Sequence, residues 1–264
     1  MKYYFDKKSA ERAVAFIEKH ITHCKGELAG QAFLLEKWQK KEILEPLFGW
    51  KREDGTRKYR TAYIEIPRKN GKSSLCAAIA LYMLYADGEL GAEVISAAAD
   101  RSQAGIVFDI AKAMTLGNKE LSKRGKVFRN SITLENKNSY YKAISADANT
   151  KHGFNCSAII FDELHAQKTR ELFDVLTTST GARRQPLTIC ITTAGYDKES
   201  ICYEVHEYAK KVLSGAIKDE SFLSVIFSAD KDDDWTKKST WKKANPAFGT
   251  IIKEEYFNQQ FNKA

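Results

Sequence analysis

A mostly parallel α/β sheet covered by helices on both faces is the fold that this 264-residue sequence predicts. Three observations predict it. Short apolar runs of strand length alternate with segments of helical period. Ser157 to Phe161 is a continuous apolar run rather than an alternating one, as strands buried on both faces are, and Leu187 to Thr193 reads as another buried strand. The composition, 43% hydrophobic and 29% charged, is that of a globular chain able to bury a core.

Taken in order, Ser9 to Ile21 carries Val14, Ile17 and Ile21 at helical spacing. A second helix is expected over Glu36 to Leu47, with Trp38, Leu44 and Leu47 inward and Pro46 blurring its end. Lys51 to Arg60 is charged and holds the turn pair Asp54-Gly55. A strand over Thr61 to Ile66, a loop, and an apolar helix over Ser73 to Ala86 follow. Glu93 to Ala98 reads as a strand and Ser102 to Met114 as a helix. Val127 to Leu134 and Tyr140 to Ser145 read as a hairpin about Asn136-Lys137-Asn138. After the strand ending at Asp162, Arg170 to Thr178 suits a helix, Leu187 to Thr193 a strand, Ser200 to Leu213 a helix and Phe222 to Phe227 a last strand. Beyond the acidic run Asp230 to Asp234 a helical appendage or linker is expected, and the run itself reads as a solvated turn.

Composition excludes several classes. The longest apolar run, Leu75 to Ala86, falls short of the roughly 18–20 residues that a bilayer requires. The N-terminal residues have no apolar core of the secretory kind. Five cysteines form no CxxC pair and no zinc spacing; Cys76 and Cys190 sit in core segments, which suits a reducing compartment. A net charge of +8 favours a polyanionic partner.

Chemistry concentrates in three places. Ile66-Pro67-Arg68-Lys69-Asn70-Gly71-Lys72-Ser73, between a strand and a helix, has the spacing of a phosphate-binding P-loop, although Ile66 stands where the first glycine belongs. Lys72 would reach the β- and γ-phosphates and Ser73 would ligate Mg²⁺; Arg68 and Lys69 add positive charge. Gly-Lys-Ser alone also fits a surface helix start. Ser157 through Asp162-Glu163-Leu164-His165 drives an apolar strand to the sheet's C-terminal edge, where open α/β sheets bind ligands. Asp162 would hold Mg²⁺ and Glu163 would orient and deprotonate the attacking water. By itself an Asp-Glu pair also fits a solvated helix start. Thr192 and Thr193, ending the third strand, could sense the γ-phosphate or merely cap a helix. His165 reads as a polar residue packing against that strand rather than a catalytic one.

Together these stretches resemble the large terminase subunits of tailed bacteriophages, in the HK97-like branch. Three stretches match: Ile66 to Ser73, Ile160 to Gln167, and Arg183 through Gly195. Phe33-Leu34-Leu35-Glu36-Lys37-Trp38-Gln39 is similar to the family's adenine-proximal motif, and Asn245-Pro246 to its segment after the ATPase core. The family's P-loop tolerates the missing first glycine. The resemblance implies an α/β P-loop NTPase of the ASCE/RecA-like kind. It would comprise an N-terminal helical region with the adenine-proximal motif over 1–60, an ATPase core over 61–229, and a linker over 230–264 toward a nuclease domain beyond this chain. It implies ATP and Mg²⁺ as cofactors. The ATP site would be Pro67, Arg68, Lys69, Asn70, Gly71, Lys72, Ser73 and Ser74, with Trp38 and Gln39 near the base. Catalysis would fall to Glu163, Lys72 and Arg68, the metal to Ser73 and Asp162, and coupling to Thr192 and Thr193. The implied function is an ATP-driven motor moving double-stranded DNA, without sequence reading, through the portal protein into a procapsid in the host cytoplasm. It would work with the small terminase subunit, as a ring that is commonly a pentamer, away from any membrane. DNA cleavage is not expected from this stretch. Related motors place a trans-acting arginine shortly before the Asp-Glu strand, where Lys151-His152-Gly153 stands; Arg101, Arg124, Arg183 and Arg184 are the candidates.

Rival readings are a helicase-like translocase, a small-molecule P-loop kinase and a plain DNA-binding module. The first lacks room for a second motor domain, the second lacks a marked lid and acceptor-site arginines, and the third leaves the paired nucleotide motifs unexplained.

Overall fold

A computed structural model describes residues 2–146, 153–167, 169–195 and 197–263. In chain order the strands are β1 (Tyr3–Phe5), β2 (Trp50–Arg52), β3 (Thr61–Glu65), β4 (Glu93–Ala98), β5 (Lys126–Val127), β6 (Ser131–Leu134), β7 (Ser139–Ser145), β8 (Ala158–Asp162), β9 (Leu187–Thr192) and β10 (Phe222–Ile226). The α-helices are α1 (Lys7–His20), α2 (Glu45–Gly49), α3 (Lys72–Tyr85), α4 (Arg101–Gly117), α5 (Lys119–Arg124), α6 (Glu171–Thr178), α7 (Ile201–Leu213), α8 (Lys238–Ala244) and α9 (Glu254–Phe261).

Eight strands form one sheet in the order β10-β3-β9-β8-β4-β7-β6-β5, and its first six run parallel. The β6–β7 hairpin turns through a 3-10 segment, Glu135–Lys137, with Asn138 in the left-handed region at φ 49°. The expected first strand of that hairpin is split, because the chain turns between Val127 and Ser131 and leaves β5 as a short edge strand. The expected second helix also differs. Gln39–Leu44 is wound as a π-helical turn that runs on into α2, with Pro46 just past the change of winding. The β1–β2 pair was not foreseen; β1 is only three residues long, too short for a periodic signal.

Period-two alternation sorts the strands onto two cores. Ala62 and Ile64, Ala158 and Ile160, and Ile189 and Ile191 face the cluster that contains α1, α3 and α4, whereas Tyr63, Ile159, Phe161 and Cys190 face the cluster containing α6 and α7. Helix α3 is apolar all round and almost wholly buried, as a helix packed between a sheet and other helices must be. Residues of the N-terminal region, among them Phe16, Ile17, Ile43 and Leu44, join that same cluster. The alternation also places the chemistry. Asp162 continues the Ala158, Ile160 side toward α3, and Thr192 continues the Cys190 side toward α7.

Candidate nucleotide-binding site

The loop from Ile66 to Gly71 leaves β3 and enters α3 through two left-handed residues, Lys69 at φ 70° and Gly71 at φ 80°. Gly71 accepts this conformation without strain; Lys69 does not do so readily. Asn70 between them is fully buried. Its Nδ2 donates to the Pro67 and Arg68 carbonyls, both at 3.2 Å, so the side chain braces the loop from inside. Helix α3 has no side-chain N-cap, in contrast to α1, α4, α5 and α7, which are capped by Asp6, Asp100, Asn118 and Ser200. Its first backbone N–H groups therefore remain available to an anion.

Lys72 is 6% exposed, and its Nζ donates to the carbonyls of Ile66 at 3.2 Å and Pro67 at 3.3 Å. Burial lowers its pKa, partly offset by Glu163 and Asp162. Across from it Ser73 Oγ donates to Asp162 Oδ2 at 3.3 Å. Asp162 Oδ1 is buried with no hydrogen-bond partner. Burial, and then the neighbouring Glu163 charge, push the Asp162 carboxyl up to about 6.

Glu163 follows β8 in the left-handed region, at φ 53° and ψ 55°, which swings its side chain out of the strand's alternation. Oε1 lies 3.6 Å from Lys72 Nζ, while Oε2 lies 3.2 Å from His165 Nδ1 and accepts the Thr193 N–H at 3.4 Å. Burial raises its pKa, but the His165 hydrogen bond and the Lys72 charge outweigh burial and hold it below the ordinary value. Adjacent carboxyls are thus driven apart, the pattern that separates roles in acid–base sites.

These groups line a cavity of about 750 Å³ with Arg68, Lys69, Gly71, Ser74, Lys25, Gln103, Ile106, His165 and Ala166. Arg68 and His165 also line a neighbouring cavity of about 460 Å³ with Glu65, Pro67, Thr193, Ala194, Phe227 and Ala244. Lys25, Gln103 and Ile106 come from elements with no motif of their own, and no local signal marked them. Trp38 and Gln39 line neither cavity. Trp38 is 9% exposed and packs edge-on against Phe227, with ring centroids 5.5 Å apart, and Gln39 accepts the Glu36 N–H at 2.9 Å. Thr192 is fully buried and Thr193 nearly so, both beside His165.

Among the arginine candidates, Arg183 donates to the carbonyls of Asn155, Leu90 and Gly91, Arg184 to Asp54 and Arg124 to Tyr85. All three are spent at the strands' N-terminal edge, away from the P-loop. The side chain of Arg101, together with Lys151 and His152, lies outside the described residues.

The family model described as "Terminase large subunit, ATPase domain" matches residues 37–211, more than half of the chain. The chain belongs to the terminase large subunit family. The large terminase subunit of Enterobacteria phage HK97 is 32% identical over 260 residues, covering 96% of this chain and 49% of that protein. The crystal structure of the HK97 large terminase superposes with a TM-score of 0.83 at 30% identity, covering 96% of this chain and 51% of that one. An ATPase-domain structure from Thermus phage P74-26 shares the fold, with a TM-score of 0.51 at 18% identity over 69% of this chain and 80% of that one. The chain thus spans about half the length of its HK97 relatives. The terminase P-loop, the acidic strand end and the two threonines fall together at one edge of one sheet.

Proposed function

We propose that this chain is the ATP-hydrolysing motor of a terminase, converting ATP turnover into movement of double-stranded DNA into a procapsid. One observation carries the chemistry: the P-loop serine and the strand-end aspartate are hydrogen-bonded at 3.3 Å, and the aspartate's second oxygen is buried and unpartnered. An uncapped helix start beside a hydroxyl and a destabilised carboxylate suits a triphosphate with a hard divalent cation, whose ligands are oxygens. Ser73 and Asp162 would hold Mg²⁺, which when bound neutralises charge on the β- and γ-phosphates. Lys72 leaves its loop carbonyls for the phosphates, Asn70 keeps the loop braced, and Pro67 through Ser74 supply the cradle. Arg68 faces the γ-phosphate end. Glu163, kept ionised by its surroundings, takes the proton of the attacking water. The adenine lies toward Phe227, with Trp38 backing that ring and Gln39 holding the Trp38 turn rather than touching the base. Thr192 and Thr193 pass the loss of the γ-phosphate to α7.

The net charge of +8 suits a motor that grips phosphates without reading bases. Among the described residues no helix is long and apolar enough to cross a membrane. Family membership supports a wider assembly: a ring, with five copies as the expected number, on the portal protein in the host cytoplasm, loaded through the small terminase subunit. DNA cleavage is not assigned to this chain; Asp230 and Asp233 are engaged with Lys243 in an exposed turn.

The test is ATP hydrolysis against protein concentration, with and without double-stranded DNA, beside Glu163→Ala. A rate per subunit that climbs with concentration, responds to DNA and vanishes in the variant supports a ring motor. A rate indifferent to concentration and DNA favours a kinase-like site, and full turnover by Glu163→Ala removes Glu163 as the base.

A further inference from the structure

The Glu163 carboxylate is held asymmetrically. Oε1 lies 3.6 Å from Lys72 Nζ, and Lys72 is the group that the proposed function turns to the phosphates. Oε2 is engaged by the protein itself, through the Thr193 N–H at 3.4 Å and His165 Nδ1 at 3.2 Å. His165 is in turn tied to β9. Its backbone N–H donates to Thr192 Oγ1 at 3.2 Å, and its Nδ1 stands 2.9 Å from that same oxygen and 3.4 Å from Thr193 Oγ1. The Thr192 hydroxyl proton is spent on the Thr193 carbonyl at 2.8 Å, so Thr192 Oγ1 can only accept from the imidazole. The two nearest neighbours of Nδ1, Thr192 Oγ1 and Glu163 Oε2, are therefore acceptors, an environment that favours the tautomer with its proton on Nδ1. The fit is close: a Cβ at Gly195 would stand 3.3 Å from the His165 Cβ, so this glycine gives the histidine its place.

We infer that His165 is a positioning residue that clamps one oxygen of Glu163 to the end of β9 and leaves the other oxygen presented to the attacking water. The inference rests on the reading of Glu163 as the base. The clamp explains how a glutamate on a left-handed residue keeps one orientation if Lys72 turns away, and it joins the base to the end of β9 at Thr192 and Thr193. A change in the Thr192–Thr193 backbone then moves the base, and the reverse also holds. His165 itself need not touch substrate.

The test uses the position of the donor. An asparagine amide can reproduce an Nδ1–H donor, whereas a glutamine amide reaches the position of Nε2. In steady-state ATP hydrolysis by the whole chain, His165→Ala is expected to lower kcat about 10- to 100-fold and leave KM within about threefold. His165→Asn should recover most of the loss and His165→Gln should not. Thr192→Val combined with His165→Ala should lose less than the product of the two single losses, because both remove one clamp. Thermal unfolding of each variant separates misfolding from misplacement, and the Asn–Gln contrast stands even if the alanine variant unfolds. Equal turnover for Asn and Gln, or a loss that lies in KM, overturns the inference. Glu163→Gln is run beside them: if it keeps turnover the base assignment fails, whereas if it is inactive and the His165 variants are normal the clamp alone fails. The clamp also has a readout that needs no turnover. Nitrogen-15 NMR of the nucleotide-free chain should find His165 protonated at Nδ1, with its resonances displaced in Glu163→Gln and in Thr192→Val. A neutral ring protonated at Nε2 overturns the clamp whatever the chain's activity.

Discussion

The sheet carries a buried charge cluster at each edge, and the two are built oppositely. At the N-terminal edge of the strands Arg57 and Asp87, with side chains 1% and 4% exposed, meet at 2.6 Å; Arg57 Nη1 donates to the Gln185 carbonyl and its guanidinium lies over the Phe48 ring. At the C-terminal edge Lys72 faces two carboxylates, stands 3.6 Å from the nearer and spends its protons on loop carbonyls. Each cluster leaves a buried carboxylate oxygen without a partner, Asp87 Oδ2 and Asp162 Oδ1, so an orphan atom alone does not mark a site. The distinguishing features at the second edge are an excess of negative charge over its one buried cation and an open cavity beside it. The first cluster is closed on itself and holds the α3 end to the loop before β3. The second opens onto the cavity that Lys72, Ser73, Asp162 and Glu163 line.

The largest expected effects test this contrast by crossing it. Lys72→Ala and Glu163→Gln should each lower ATP turnover by at least about 10³-fold, with Lys72→Ala also losing ATP affinity, since the proposed function puts both where transition-state charge develops. Their melting temperatures should stay within a few degrees of wild type. Arg57→Ala should do the reverse to stability: it strands Asp87 in the core and should cost about 3–5 kcal/mol, lowering the melting temperature by roughly 6–20 °C for a domain of this size. Calorimetry and turnover assays on the same preparations check both. A stable Arg57→Ala protein, or an unfolded Lys72→Ala protein, would dissolve the distinction between the two edges.

Asp162 gives an intermediate effect with a definite sign. Its carboxyl is held at about 6 in the folded chain, against an ordinary value of 3.8. The folded state therefore resists losing that proton. Below pH 3.8 both states are protonated and there is no penalty; the penalty grows as pH rises through about 4 to 6 and is complete above that. A shift of this size corresponds to roughly 3 kcal/mol at pH 7. In metal-free buffer Asp162→Asn should thus raise the melting temperature at pH 7 and leave it unchanged near pH 3.5, while abolishing turnover. Added Mg²⁺ should stabilise wild type and not the variant. A variant less stable than wild type at pH 7 would show that Asp162 serves the fold as Arg57 does.

Much of this was legible in the sequence because it is local. A continuous apolar run marked β8, a run of β-branched and apolar residues marked β9, and a Gly-Lys-Ser between strand and helix marked the P-loop, since each signal spans under ten residues. Alternation along β8 already fixes Asp162 on the α3 side once the strand is known. The remainder depends on distant partners. Gln103 reaches the cavity because β4, which leads into α4, lies beside β8, and Lys25 reaches it from the loop after α1. The π-helical winding of Gln39–Leu44 carries no compositional mark. His165 packs on β9, as its place after the strand suggests; its contact with Glu163 requires the left-handed turn at Glu163, a conformation that sequence does not advertise in a non-glycine.

The smallest effect concerns the C-terminal segment, which family likeness alone would cast as a tether. Asn70, inside the P-loop, donates from Nδ2 to Asn245 Oδ1 at 3.2 Å and accepts the Ala247 N–H on Oδ1 at 3.0 Å, from residues 175 and 177 positions away. The Ile251 side chain comes within 3.4 Å of where a Cβ on Gly71 would stand. The segment between α8 and α9 is thus seated on the loop between β3 and α3. Asn245→Ala removes one acceptor for a side chain that still has two loop carbonyls, so it should cost only about 0.5–1.5 kcal/mol. Hydrogen exchange is the sharper readout. The Ala247 amide should exchange faster in Asn70→Ala, and more modestly in Asn245→Ala, with α3 amides unchanged. Nucleotide should slow exchange at Ala247 in wild type and not in Asn70→Ala, because a loop ordered by phosphates holds Asn70 in the geometry that Ala247 needs. If nucleotide protects both proteins equally, the segment senses the site by another route and Asn70 is only a brace within its own loop.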